Sequence, residues 1–488
     1  MRRALGLAAL ALAIGGCEEA SPSPAPEVHR APGIVGESNV TRADYVGPDT
    51  CGGCHPDEYA RWSHSLHRVM NAKASDPGAV IGNFDDASLR FGSGEVHFTH
   101  DATGYAMTAG DVHYRVTRTI GRRALQEYVG VADGSSDEVR LPFGWWPRAG
   151  GWMPQVAFDP WLAPADFHPY EPVRAPWAER CPWCHSTYPF AQRIARASGP
   201  THLGHGMEQL FAGAPSDDRL NVSAQITTGI SCESCHLGGR AHAAGGPIHF
   251  VPQGVAAQAG ATVPREPFSV ERRDARVVNA VCEQCHSGPS PRLSDHTALR
   301  NSSEAIDLEA SPCTGIKCTD CHDPHRADAR SDEARSAAAC VHCHDSLADA
   351  AAARAHAGTG HDSATCLDCH MPKIVMGIDR YVRTHRISSP TDPSILREAG
   401  PNACNACHLD RSIAWTADAL ARGWDVHLDI SAWPNTDTPV GEFWLASPQP
   451  ALRVMAAQLY GAKLPAAARD KLAHDPLPYV RAWTSFAR

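Results

Sequence analysis

The pattern Cys-x-x-Cys-His occurs eight times in this chain and takes up sixteen of its 18 cysteines. Chance placement would give about 0.04 copies. The copies are Cys51/Cys54/His55, Cys181/Cys184/His185, Cys232/Cys235/His236, Cys282/Cys285/His286, Cys318/Cys321/His322, Cys340/Cys343/His344, Cys366/Cys369/His370 and Cys404/Cys407/His408. Cysteines at i and i+3 share one face of a helical turn, and the histidine at i+4 sits beside them. Both sulfurs can then form thioethers to one porphyrin while the imidazole takes the proximal iron position. Zinc sites or disulfides would leave the histidine after every second cysteine unexplained. The expectation is eight covalently attached haems of the c type.

Of 27 histidines, 19 lie outside these motifs, and 16 of those fall between residues 47 and 410. Eight irons need at most eight further ligands, and only eight Met are present. Ligation by two histidines is therefore the default, and it generally gives lower potentials than His/Met.

Residues 1–17, MRRALGLAALALAIGGC, read as an export signal: a charged start, an apolar stretch and a small-residue site, too short to span a bilayer stably. Export suits haem attachment, which takes place outside the cytoplasmic membrane. The segment ending at Cys17 resembles a bacterial lipoprotein box, with an ordinary signal peptide as the alternative; Glu18 in place of Asp favours the outer membrane over the inner. Residues 18–46 form a Pro-rich linker. Net charge is −10, from 44 basic and 54 acidic residues, so a nucleic-acid footprint is absent and basic redox partner proteins are favoured.

Successive motifs start 130, 51, 50, 36, 22, 26 and 38 residues apart, so no repeat period exists. The long first gap carries alternating β-branched and aromatic segments, which predict a small antiparallel β insertion over about 85–140. Five tryptophans and several prolines follow in 141–182, an irregular stretch more suited to packing than to binding carbohydrate. Residues 181–408 serve seven haems with about 33 residues each, too few for separate globular cores, so the haems must pack together. With 38 Pro and 40 Gly, the expected fold is mainly α and irregular, a multihaem cytochrome c fold over 47–410. Residues 411–488 predict a helical tail with a HEAT-like last segment, too short to stand as a free solenoid.

Several segments also resemble the multihaem cytochromes related to the nitrifier-type tetrahaem family: CGGCHPDEYARWSHSLHRVM (51–70), GISCESCHLGGRAHA (229–243), IKCTDCHDPH (316–325), CLDCHMPK (366–373) with RTHRI (383–387), and PNACNACHLDRSIAW (401–415). That resemblance implies distal ligand roles for His67, His242, His325 and His385, and for His356 ahead of CHMP. His64, His202 or His205, His249, His296 and His361 come next, with His205 and His296 kept as candidate ligands. His342 lies inside its own motif and cannot reach that iron. Cys313 belongs to no motif and reads as a packing thiol, with sulfur chemistry or ligation as the alternative.

Three functions fit. The first is an electron carrier or store on the periplasmic side of the outer membrane or at the cell surface, held by a lipid anchor. The second is an octahaem oxidoreductase acting on hydroxylamine, nitrite or tetrathionate through an iron left open. The third is a subunit of a polymeric haem wire. No motif replaces its final His by Lys, as related nitrite reductases do. Oligomeric state is not legible in the sequence.

Overall fold

The computed structural model describes residues 38–160, 162–190, 222–250, 274–288, 290–326 and 333–485. Cys17, His202 and His205 lie outside them. No helix among the described residues is long and apolar enough to cross a membrane.

The insertion is larger than its sequence signal. Seven strands form one antiparallel sheet: β1 (Asn71–Lys73), β2 (Ala87–Phe91), β3 (Gly94–Asp101), β4 (Gly104–Ala109), β5 (Val112–Ile120), β6 (Glu127–Ala132) and β7 (Glu138–Arg140). Strands β2 to β7 run in chain order, and β1 extends the β4 edge by pairing with the far end of β5, Asn71 opposite Ile120. Alternation sets the faces: Val96, Phe98, Met107, Tyr114 and Val116 point into the core, while His97 and Thr99 face solvent. Two hairpins, Phe91 to Gly94 and Ala109 to Val112, turn on a single glycine at positive φ, Gly92 at 60° and Gly110 at 59°. This matches a II′ turn, in which the first central residue must be free of a Cβ.

The aromatic stretch after the sheet is also more regular than its composition suggests. Strands β8 (Phe143–Trp146) and β9 (Gly151–Pro154) pair there, and Trp152 stacks on Phe98 at 3.7 Å between ring centres. Trp146, Trp152 and Trp177 are buried. These rings form packed core, leaving no aromatic platform for a sugar at those positions.

Beyond the sheet, the chain is made of short helical turns carrying the motifs, with loops between them. Among the described residues the tail contributes five α-helices, from Ile413–Trp424 to Pro478–Thr484. It does not stand apart. Leu420, Trp444, Met455, Val480 and Trp483 share one core with Trp146 and Phe158 of the insertion region and Ile374, Met376 and Leu396 of the motif region. Trp444 Nε1 donates to the Ala399 carbonyl at 2.7 Å, and the Trp146 and Trp483 rings meet at 5.9 Å. The buried pair of Arg453 and Asp475, 2.8 Å apart, fixes the turn into the last helix.

Candidate haem-binding site

The motif cysteines sit on helical turns or at helix ends, such as Cys318–Cys321, Cys366–His370 and the end of Ala275–His286. None of their sulfurs lies in a fully buried residue, and the described residues contain no disulfide. The motifs crowd one another. Cys51 and Cys232 are in hydrogen-bonding reach, as are Cys282 and Cys318. The Pro182–His185 turn packs on Ala275–His286, Glu333–Cys343 packs on both Cys318–Cys321 and Cys366–His370, and the latter packs on Ala403–Cys407.

Three motifs depart from the expected helical turn that carries both cysteines; in the third, a single 3-10 turn spans Cys232–Ser234 and Cys235 follows it as the cap. Cys54 is exposed and lies beyond the end of the helix Pro48–Gly52, because Gly52 and Gly53 are poor helix formers. The turn still closes there, since the amides of Cys54 and His55 donate to the Cys51 carbonyl at 3.1 and 2.9 Å. In the second motif, Cys184 is half-buried inside the helix Pro182–His185 while Cys181 precedes it as the cap. Pro182 sets that start, having no amide hydrogen to give to an earlier turn. Cys54 and Cys184 therefore keep the spacing that one porphyrin needs, but each shares no continuous helix with the first cysteine of its pair.

Five motif histidines face a second imidazole: His55 and His242 (6.1 Å between ring centres), His236 and His325 (6.2 Å), His322 and His385 (6.1 Å), His370 and His356 (6.1 Å), and His408 and His361 (6.4 Å). The first four pairs have planes within 23° of parallel, and the fifth is perpendicular at 89°. Rings in direct stacking contact lie closer, as the 3.7 Å of Phe98 on Trp152 shows. Two imidazoles sharing one iron at about 2.0 Å from each nitrogen, with each ring centre about 1.1 Å behind its nitrogen, would stand about 6.2 Å apart. The residues fit a haem iron between each pair.

Backbone contacts aim these rings. His242 Nδ1 bonds the Gly246 carbonyl and His370 Nδ1 the Ser388 carbonyl, both at 2.9 Å, leaving Nε2 of each ring for a metal. The buried Glu233 carboxylate accepts from the amides of Val46 (3.0 Å), Gly47 (2.8 Å) and Gly239 (2.8 Å). It thereby ties the approach to His55 to the approach to His242. Trp424 Nε1 donates to the His356 carbonyl at 2.7 Å, and its ring lies 6.0 Å from His361. A side chain at Gly358, whose φ is +79°, would strike that indole, with a Cβ 2.7 Å away.

His67 has its carbonyl bonded by the Ile230 amide at 3.0 Å, and a Cβ on Gly229 would come within 2.1 Å of the Arg68 carbonyl. Burial and the charge of His286 push His67 down to about 4. Burial likewise takes His185 and His385 down to about 4. All three rings are then neutral at pH 7, the form that ligates metal. His286 behaves differently. Its Nδ1 lies 3.1 Å from Glu304 Oε2, and since a carboxylate only accepts, the ring donates there and keeps Nε2 for a metal.

Other candidates stand apart. His296 is exposed, at positive φ, and no imidazole faces it among the described residues. His64 Nδ1 bonds the Ala60 carbonyl, and His342 is exposed. For His185, His286 and His344 no imidazole at 6.1 to 6.4 Å occurs among the described residues; the ring beside His185 is Trp177, at 5.8 Å. Glu233, Glu304 and Trp424 were not candidates from the sequence. Only Glu233 had a signal, as the acidic residue inside its motif.

No family model matches the chain, and no curated protein matches it. Two solved structures resemble it. The outer cell wall cytochrome OcwA is 16% identical with a TM-score of 0.45, over 91% of this chain and 99% of that one. The Wolinella succinogenes octaheme sulfite reductase MccA is 16% identical with a TM-score of 0.35, over 72% of this chain and 59% of that one. At those scores a shared fold does not follow. The haem sites are read from this chain's own residues.

Proposed function

We propose that this chain is an exported octahaem c-type cytochrome that transfers or stores electrons, tethered by a lipid on Cys17 to the periplasmic side of the outer membrane or the cell surface. The observation that carries this reading is the set of five imidazole pairs at 6.1 to 6.4 Å, each joining a motif histidine to one from outside its own motif. Haem c supplies a one-electron ferric/ferrous couple when bound. The chain's cysteines would hold the macrocycle, and at the five paired motifs the two histidines would both bind the iron and exclude substrate from it. The packing of motif on motif supports this reading, since a carrier needs centres that stand side by side. Its partners are redox proteins, consistent with the acidic net charge of −10.

A second reading, an oxidoreductase working on a small nitrogen or sulfur compound, is favoured at one position. His185 is enclosed by protein with Trp177 beside its ring and no facing imidazole among the described residues. An open iron there would be able to take a small ligand.

Intact mass of the mature protein tests the first reading. Eight haem increments and an acylated N-terminal Cys17 support it; fewer increments from a host competent in haem attachment, or an N-terminus at Met1, contradict it. Turnover of nitrite, hydroxylamine or tetrathionate would move the balance to the second.

A further inference from the structure

The His286 motif occupies a meeting point. Its helix, Ala275–His286, packs against the Pro182–His185 turn and against Cys318–Cys321. Cys282 lies in hydrogen-bonding reach of Cys318 and within electrostatic range of Cys235. Three other motifs therefore adjoin it, and electrons passing among them have this centre as their common neighbour.

Its histidine also carries a partner of a different kind. His286 Nδ1 and Glu304 Oε2 are 3.1 Å apart. A carboxylate only accepts, so the ring nitrogen must donate, which leaves Nε2 for the iron. Glu304 is held in place from behind: the Ser302 amide donates to its other oxygen at 2.9 Å. Two other motif histidines differ. The Nδ1 of His370 bonds a neutral carbonyl, that of Ser388, and the Nδ1 of His185 is buried with no hydrogen-bond partner among the described residues. Glu304 also lines a small cavity with His385, the ring that faces His322 of the adjoining motif.

We propose that Glu304 is a positioning residue that lowers the reduction potential of the haem held by Cys282, Cys285 and His286, and so makes the meeting point of the cluster harder to reduce. The inference rests on the electron-transfer reading above. An imidazole that donates to a carboxylate gains imidazolate character and becomes a stronger donor to iron, which favours the ferric state. The carboxylate charge acts in the same direction, because ferric iron carries one more positive charge than ferrous. A centre of low potential between three neighbours holds electrons on the arms rather than at the junction. His385 is farther from the carboxylate than His286 and gains charge stabilisation without a hydrogen bond, so its centre shifts less.

Glu304→Gln tests this in the full-length haem-loaded protein. Glutamine keeps an acceptor oxygen for the ring nitrogen and removes the charge. Spectroelectrochemical titration is expected to show one wave moved clearly to higher potential, a second moved slightly, and the low-spin spectrum unchanged. A role limited to holding the helix would not move a potential while leaving spin state intact. If the peptide carrying Cys282 and Cys285 bears haem by mass and every wave stays in place, the proposal is overturned while the carrier reading stands. If that peptide bears no haem, the carrier reading itself fails there. Should the Gln variant not accumulate, Glu304→Asp keeps the charge but shortens its reach, and the same wave is expected to rise by less; an unmoved wave again overturns the proposal.

Discussion

The rings of His55 and His242 lie 6.1 Å apart with planes 18° from parallel, although one follows the first cysteine pair and the other follows the third. The same stitch recurs down the chain. His325, after the fifth motif, faces His236 of the third, and His385, after the seventh, faces His322 of the fifth. Each of these distal rings thus comes from a segment two motifs further on, so the sites close only when distant pieces of chain come together.

Glu233 is the clamp on the first of these pairs. Replacing it by Ala strands three amides and is expected to cost about 3 kcal/mol or more, since hydrogen bonds to charged groups are each worth about 1.5 to 3 kcal/mol. Denaturant unfolding of the haem-loaded protein reads the loss, and one haem is expected to gain high-spin character. Unchanged stability would show that the three contacts are replaced by water.

Trp424 braces the end of the helix Ala350–Ala357, which carries His356, and the loop after it, which carries His361. Trp424→Ala is therefore expected to disturb two centres at once, those of His370 and His408, with covalent haem count unaltered. Magnetic circular dichroism of the ferric protein distinguishes this from the change at one centre that a local packing defect would cause.

His361 and His296 make a contrast. His361→Ala is expected to turn one low-spin haem high-spin, because its ring faces His408 at 6.4 Å. His296→Ala should leave the spectrum untouched. A spectral change in the second variant, or none in the first, would reverse the assignment.

The tail tests as part of the body. Trp483 is 1% exposed and packs on Trp146, so Trp483→Ala is expected to remove about 3 to 5 kcal/mol. Calorimetry should then show the insertion and the tail losing stability together; a tail that melts alone would indicate an independent unit.

The cysteine motifs were legible because each is local, and so was the existence of a sheet, whose alternation is a period of two along one strand. Which turn each cysteine would occupy was less so: the Gly52-Gly53 pair leaves Cys54 outside its helix, and Pro182 leaves only Cys184 of its pair inside one. The sheet's extent was hidden too. Strand β1, Asn71–Lys73, is three residues long and is held by pairing with Arg118–Ile120, which no local pattern announces. Distal pairing was hidden for the same reason: His242 sits six residues after His236, yet faces His55. Neither His361 nor His296 has a flanking signature, and only their places in space, His361 opposite His408 and beside Trp424, separate them. Glu304 had no signal at all, since its role depends on a helix end eighteen residues away meeting it in space.

The central claim is that paired imidazoles fill the iron positions. A spin-state census of the ferric protein by magnetic circular dichroism and electron paramagnetic resonance, set against haem content by mass, tests it most directly. The account predicts eight haems with at least five in bis-imidazole low-spin form, and any high-spin signal confined to the His185, His286 and His344 centres. Fewer than five bis-imidazole haems in a fully loaded protein would contradict it.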